Sequence, residues 1–348
     1  HIAEAMGVPF LAAFTMPFTR TNEFPNPFAV VETSLGPGYN FASHVLVEQA
    51  MWLGMRSKIN HFRTQTLGLS EISATESSPY DSISRKVPYL YCFSQHLVPK
   101  PHDWPVQVHE TGFWFLDSVA KKKDAPPPRP SGTNQAKGGE FEVVGYVPDP
   151  GLVEFIRESG DNKPIYVGFG SITGLPDPEA FRDAVINGIE QSGRRCIFLS
   201  GWANLTEGST LPPNIYPVKS VPHDYLFPQM SAVVHHGGAG TIAAGLRWGI
   251  PTIVVGFFGD QFFWGRRVEE MGVGFALTAK RLTAERLANA ITQATGSAEM
   301  WNRAALLGKQ ISSEDGVANA IQCLYSHLPR TMFGERRESQ ATKFGSSL

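Results

Sequence analysis

Apolar and polar positions divide this chain into two stretches with different rhythms. From about residue 150 to 328, short apolar runs alternate with segments of helical period. The runs at 164–169, 195–199, 215–218, 232–235, 252–255 and 274–277 read as strands. Segments at 152–158, 178–191, 241–248 and 261–271 read as helices, and three more follow near 283–294, 298–312 and 315–327. In 178–191 the apolar residues Phe181, Ala184, Val185 and Ile189 share one face. Such alternation predicts a parallel sheet covered on both sides, with ligands at the carboxyl ends of its strands.

Residues 1 to about 117 keep no such rhythm. A buried strand is expected at 8–14, then a loop at 15–40 punctuated by Pro17, Pro25, Pro27, Gly36, Pro37 and Gly38. Helices are expected at 41–54, on Val45, Leu46, Met51, Trp52 and Met55, and at 59–67, with strands at 87–93 and 110–115. The opening His1 to Phe10 reads as a last helical turn, a glycine stop and a strand, so a unit begun upstream and an incomplete first domain are expected. In 118–149 Lys121-Lys122-Lys123 is followed by Pro126-Pro127-Pro128, Pro130, Gly132 and Gly138-Gly139, which reads as a solvated, partly mobile interdomain linker. Residues 329–348 form a polar tail expected to fray.

Composition narrows the class. An apolar share of 42% over 348 residues supports two packed domains. A net charge of −2 leaves no footprint for nucleic acid. Cys92, Cys196 and Cys323 are odd in number and far apart, which gives neither a disulfide framework nor zinc spacing and favours a reducing compartment. No apolar run reaches the roughly 18–20 residues of a membrane span.

The chemistry concentrates after the expected strands. His235-His236-Gly237-Gly238-Ala239-Gly240-Thr241 lies between a strand and a helix. Glycines there let backbone N–H groups approach an anion, and the helix start adds free donors. Gly168-Phe169-Gly170-Ser171 follows the first strand of this stretch; it could be a tight turn whose Ser171 hydroxyl or amide meets a phosphate, but by itself it reads as an ordinary strand-to-helix turn. Val221-Pro222-His223-Asp224 offers a backbone fixed by proline for reading a base edge, or else a loop capped by Asp224. Phe257-Phe258-Gly259-Asp260-Gln261 sets an acidic group beside an amide, a pairing suited to sugar hydroxyls, although Asp260 also suits a helix cap. Adjacent His235 and His236 would point to opposite faces of a strand, and no HExxH, CxxC, GxSxG or Gly-Lys-Ser/Thr pattern occurs, so metal, serine-hydrolase and Walker chemistry are not expected.

The ordered set GFGS, VPHD, HHGGAGT, Gly249-Ile250-Pro251, FFGDQ and the run Gly265 to Gly274 resembles the donor-binding half of family 1 glycosyltransferases of GT-B architecture. In the first region Phe14 to Thr21, Thr66-Leu67-Gly68-Leu69 and Val108 to Leu116 resemble the fungal sterol 3-β-glucosyltransferases. The resemblance implies an α/β GT-B fold, two Rossmann-like domains facing a cleft: an acceptor domain at 1–117 and a UDP-sugar domain at 150–328. It implies inverting, metal-independent transfer of glucose from UDP-glucose to the 3β-hydroxyl of a membrane sterol such as ergosterol, by a cytoplasmic enzyme in transient contact with a membrane surface. UDP-glucose is then the donor substrate, and no further cofactor is implied. Carried over, Val221 holds uracil, His223 the ribose–phosphate side, His236, Ala239, Gly240 and Thr241 the diphosphate, and Asp260 and Gln261 the glucose. Ser171 is a further phosphate contact, and Trp202 either stacks near uridine or packs in the core.

The family's general base is an aspartate in a Gly-Asp loop expected upstream of His1. None of His44, His61 or Asp81 sits in a pattern that marks a substitute. The chain alone is therefore expected to bind UDP but transfer glucose slowly. Phe14, Phe18, Phe24, Phe28, Tyr39, Phe41 and Trp52 offer both core packing and an apolar acceptor groove. Another hydrophobic alcohol as acceptor, or a UDP-sugar-binding module without catalysis, stays open on these residues.

Overall fold

The computed structural model describes residues 1–73, 87–116, 146–170, 177–199 and 211–328. Ser171, Trp202, Asp81, the linker residues 117–145 and the tail from 329 lie outside the described residues.

The first region starts with α1 (Ile2–Met6), which stops at Gly7 in the left-handed conformation at φ 64°. Three short strands follow in parallel order: β1 (Ala12–Phe14), β2 (Tyr89–Tyr91) and β3 (Val108–Glu110). Between β1 and β2 runs α2 (Pro37–Gln65), a single helix of 29 residues. It replaces the two helices expected at 41–54 and 59–67, because Met55 to Lys58 contain no breaker. Its inner face also differs from expectation. Leu46 and Met55 are exposed, while Asn40, Ser43, His44, Glu48, Asn60 and Arg63 are buried beside Trp52. These polar groups satisfy the backbone of irregular segments: Arg63 Nε donates to Ser70 O at 2.9 Å and Asn60 Nδ2 to Ile72 O at 3.0 Å. The strand expected at 110–115 ends instead at Glu110, since Gly112 at φ +89° leaves the extended region.

The second region carries α3 (Pro150–Glu158), β4 (Ile165–Gly168), α4 (Pro178–Gln191), β5 (Cys196–Leu199), β6 (Ile215–Val218) and α5 (His223–Leu226). It continues with β7 (Ala232–His235), α6 (Ala239–Arg247), β8 (Thr252–Gly256), α7 (Gln261–Glu270), β9 (Gly274–Thr278), α8 (Ala284–Gly296), α9 (Ala298–Ser312) and α10 (Gly316–His327). Asp149, Asp177, Thr283, Ser297 and Asp315 cap their helices, each side chain accepting an amide from the first turn. All strand pairs are parallel, in the order β6-β5-β4-β7-β8-β9. Alternate strand residues serve opposite faces. Ile165, Val167, Phe198, Val234 and Ile253 pack on Val185, Ile189, Leu287 and Ile291 of α4 and α8. Tyr166, Ile197 and Val233 pack on Leu152, Phe155, Leu226 and Phe227 of the other layer.

Candidate functional site

The strand order reverses direction between β4 and β7, the switch point at whose carboxyl end an open α/β sheet forms its ligand crevice. Just beyond these two strands, Gly170 touches the His236-Gly237-Gly238 turn. A Cβ on Gly170 would lie 3.1 Å from His236 Cε1, and one on Gly238 would lie 2.5 Å from His236 Nε2. The His236 ring thus fits between two positions where any side chain would displace it. Gly237 adopts φ +88°, and a Cβ there would meet Val254 Cγ1 at 2.7 Å. Helix α6 begins at Ala239, two residues earlier than the sequence pattern suggests, which places the Ala239, Gly240 and Thr241 amides in its first turn.

The histidines have distinct tasks. His235 is fully buried, and its Nδ1 accepts from Gly237 N–H at 3.0 Å, which fixes the neutral tautomer and shapes the turn. Burial holds its pKa well below the usual imidazole range, helped by repulsion from His236 and His223. His236 is half-buried at the crevice; burial lowers its pKa, and the Asp260 carboxylate opposes that. Its Nδ1 is buried without a hydrogen-bond partner among the described residues. His223 stacks on Phe227 with centroids 4.3 Å apart and meets Tyr166 edge-on at 5.8 Å. It is the first residue of α5, with Pro222 rather than Asp224 in the capping position. Val221, buried, leads into it from β6.

The loop after β8 supplies the remaining polar groups. Asp260 precedes α7 without capping it; its Oδ2 accepts from Trp264 Nε1 at 3.0 Å. Burial raises its pKa, which the Trp264 bond and His236 counteract. Gln261 is buried, and its Oε1 accepts the Phe257 and Phe258 amides at 2.8 and 3.3 Å, so its NH2 is the group left to offer a ligand. The role of Trp264 escaped the sequence reading, although its i+4 spacing from Asp260 in a helical segment was the available signal.

Sterol 3-beta-glucosyltransferases of Aspergillus terreus and Emericella nidulans are 39% and 40% identical to this chain over 355 and 356 residues, covering 99% of it and 23% of each relative. A Cryptococcus neoformans enzyme of the same name is 37% identical over 344 residues, covering 94% of the chain and 20% of the relative. The chain is homologous to one portion of the sterol 3-beta-glucosyltransferases. It spans less than a quarter of the length of these curated relatives, at 23% for the first two. A family model described as the C-terminal domain of erythromycin biosynthesis protein CIII-like proteins matches residues 200–324 of this glycosyltransferase homologue. Among solved structures, the glycosyltransferase of kitacinnamycin superposes with a TM-score of 0.62 at 17% identity, covering 94% of this chain and 72% of that one. The glycosyltransferase VinC, solved in complex with DTDP, gives 0.55 at 15% identity, with 93% and 68% covered. The fold of the homologue is GT-B, as its motifs imply.

The two first-region histidines named above lie in different settings. His44 is fully buried, its Nε2 bonded to Phe24 O at 3.2 Å and its Nδ1 facing Asn26 Nδ2 at 3.4 Å. His61 sits exposed on α2.

Proposed function

We propose that this chain carries the donor site, and part of the acceptor site, of an enzyme that transfers glucose from UDP-glucose to the 3β-hydroxyl of a membrane sterol. The reading includes inversion at the anomeric carbon, no metal, a sterol such as ergosterol, and a cytoplasmic protein touching the membrane surface. The observation that carries it is the meeting of His236, the open first turn of α6 and Asp260 at one crevice of a GT-B sheet. The sterol comes from the name shared by relatives whose alignment runs through both regions.

In this reading the Ala239 and Gly240 amides, the Thr241 side chain and His236 receive the diphosphate. As the bond from C1 to the phosphate oxygen breaks, charge gathers on UDP, and pre-aimed amides stabilise it without reorganising. His236, kept largely neutral by burial, gains proton affinity when the anion arrives. The Val221 backbone takes uracil and His223 the ribose side. Asp260 accepts from glucose hydroxyls while the Gln261 NH2 donates to them. Trp264 holds the Asp260 carboxylate in place.

Labelled UDP-glucose offered to the full-length protein with sterols, flavonoids or no acceptor tests the substrate assignment; sterol-dependent product is the expected result. Asp260→Ala should lower transfer about 100-fold, the worth of two lost polar contacts, while UDP affinity holds within about threefold. Unchanged transfer would remove Asp260 from the donor site.

A further inference from the structure

The loop after β1 brings one side chain of the first region against the donor loop. Thr21, Pro25, Asn26 and Pro27 are buried, yet Phe28 beside them is 46% exposed. Its position is fixed. Asn26 N–H donates to Ser43 Oγ at 2.8 Å, Asn26 Oδ1 accepts from Phe28 N–H at 3.0 Å, and Tyr39 OH donates to Ala29 O at 2.7 Å. His44 anchors the same loop through Phe24 O. A large apolar ring held half in water by a buried network forgoes burial worth roughly 1–2 kcal/mol. The ring meets Phe18 in an edge-to-face pair with centroids 6.5 Å apart. It also reaches Gly259, where a Cβ would lie 3.3 Å from Phe28 Cε1 on a backbone at φ +64°. Gly259 stands between exposed Phe258 and Asp260.

We infer that Phe28 is a specificity-determining residue: its ring is the apolar wall that seats the acceptor hydrocarbon beside the donor sugar and keeps water from the anomeric carbon. The inference rests on the donor reading above. In the transfer, the acceptor hydroxyl oxygen bonds to C1, the bond from C1 to phosphate breaks with its electron pair leaving on UDP, and the hydroxyl proton passes to solvent water. Water is the competing nucleophile, and its attack yields free glucose and UDP. A fixed phenyl wall beside the sugar favours the hydrophobic alcohol over water.

The test measures how the full-length protein partitions labelled UDP-glucose between steryl glucoside and free glucose, with UDP affinity measured by calorimetry. Phe28→Ala should lower sterol kcat/KM about 10- to 100-fold, raise the share of glucose lost to water, and leave UDP affinity within about twofold; Phe28→Leu should restore most of the coupling. An unchanged partition and sterol KM in Phe28→Ala, with UDP binding intact, overturns the inference. Loss of UDP binding in Phe28→Ala overturns it too, since the ring would then build the donor loop. Failure of the unsubstituted protein to bind UDP sinks the donor reading itself and is seen without any variant.

Discussion

The two sheets bury themselves in different ways. The six-stranded sheet is covered on both faces by helices of its own region. The three-stranded sheet is not. Tyr91 of β2 and the rings Phe18, Phe93 and Trp104 of the segments around the sheet share one cluster with Ile242, Leu246, Phe263, Trp264 and Ile311, which belong to α6, α7 and α9. Polar links cross the same seam: Arg267 donates to Leu97 O at 2.7 Å, and Asn319 to Thr111 O at 3.0 Å. The interior of the first region is therefore also its interface. The helices that complete it, α6 and α7, begin at the HHGGAG turn and at Asp260-Gln261, so one packed core positions both sides of the crevice.

The hardest test of this asymmetry is Trp104→Ala. Trp104 is buried, packs on Tyr91 at 5.0 Å and donates to Thr19 O at 3.2 Å. Its removal should cost about 3–5 kcal/mol, felt in the first region. Hydrogen exchange should quicken across residues 1–116 while β4, β7 and β8 stay protected, with UDP affinity kept within about threefold. Equal loss of protection in both regions would show that they unfold as one unit.

The same contrast explains what was legible in the sequence. Residues 178–191 and 215–218 carry the bounds of α4 and β6 as the pattern predicts, because their apolar residues face a regular layer. The site turns were legible for a related reason: glycine, histidine and aspartate at strand ends imply backbone that must approach a ligand. In α2 the inner face meets loops instead. Glu48 holds Arg20 at 2.6 Å, and Ser43 holds Asn26, so the buried side is polar and the apolar period fails. The contact of Phe28 with Gly259 joins residues with no local relation, and no periodicity encodes it.

Acid should expose the first region's dependence on one such polar anchor. Burial lowers the pKa of His44 to about 4, and repulsion from Arg20 acts in the same direction. The unfolded chain takes up the proton near 6.5 and the folded one only near 4, so the stability tied to neutral His44 is complete above pH 6.5 and drains away towards pH 4. The loss amounts to about 3 kcal/mol. His235, lowered likewise, adds a loss of the same sign in the second region. Urea midpoints followed between pH 7 and 4 by fluorescence should fall, and His44→Gln should flatten the decline for the first region. An unaltered slope in that variant would mean that His44 is not the titrating anchor.

The smallest effect separates fold from site within the second region. A Cβ on Gly240 would meet nothing within 4 Å, and the residue is exposed in the first turn of α6. Gly240→Ala should therefore leave the free protein as stable, or up to about 1 kcal/mol more stable, through helix propensity alone. The methyl group would nevertheless stand over the amides proposed to hold the diphosphate. UDP affinity should then fall about tenfold, near 1.4 kcal/mol, with the melting temperature of the ligand-free protein unchanged or raised. A glycine retained for chain folding would show the reverse, a lower melting temperature at constant affinity. Unchanged affinity would mean that the diphosphate lies elsewhere than on the first turn of α6.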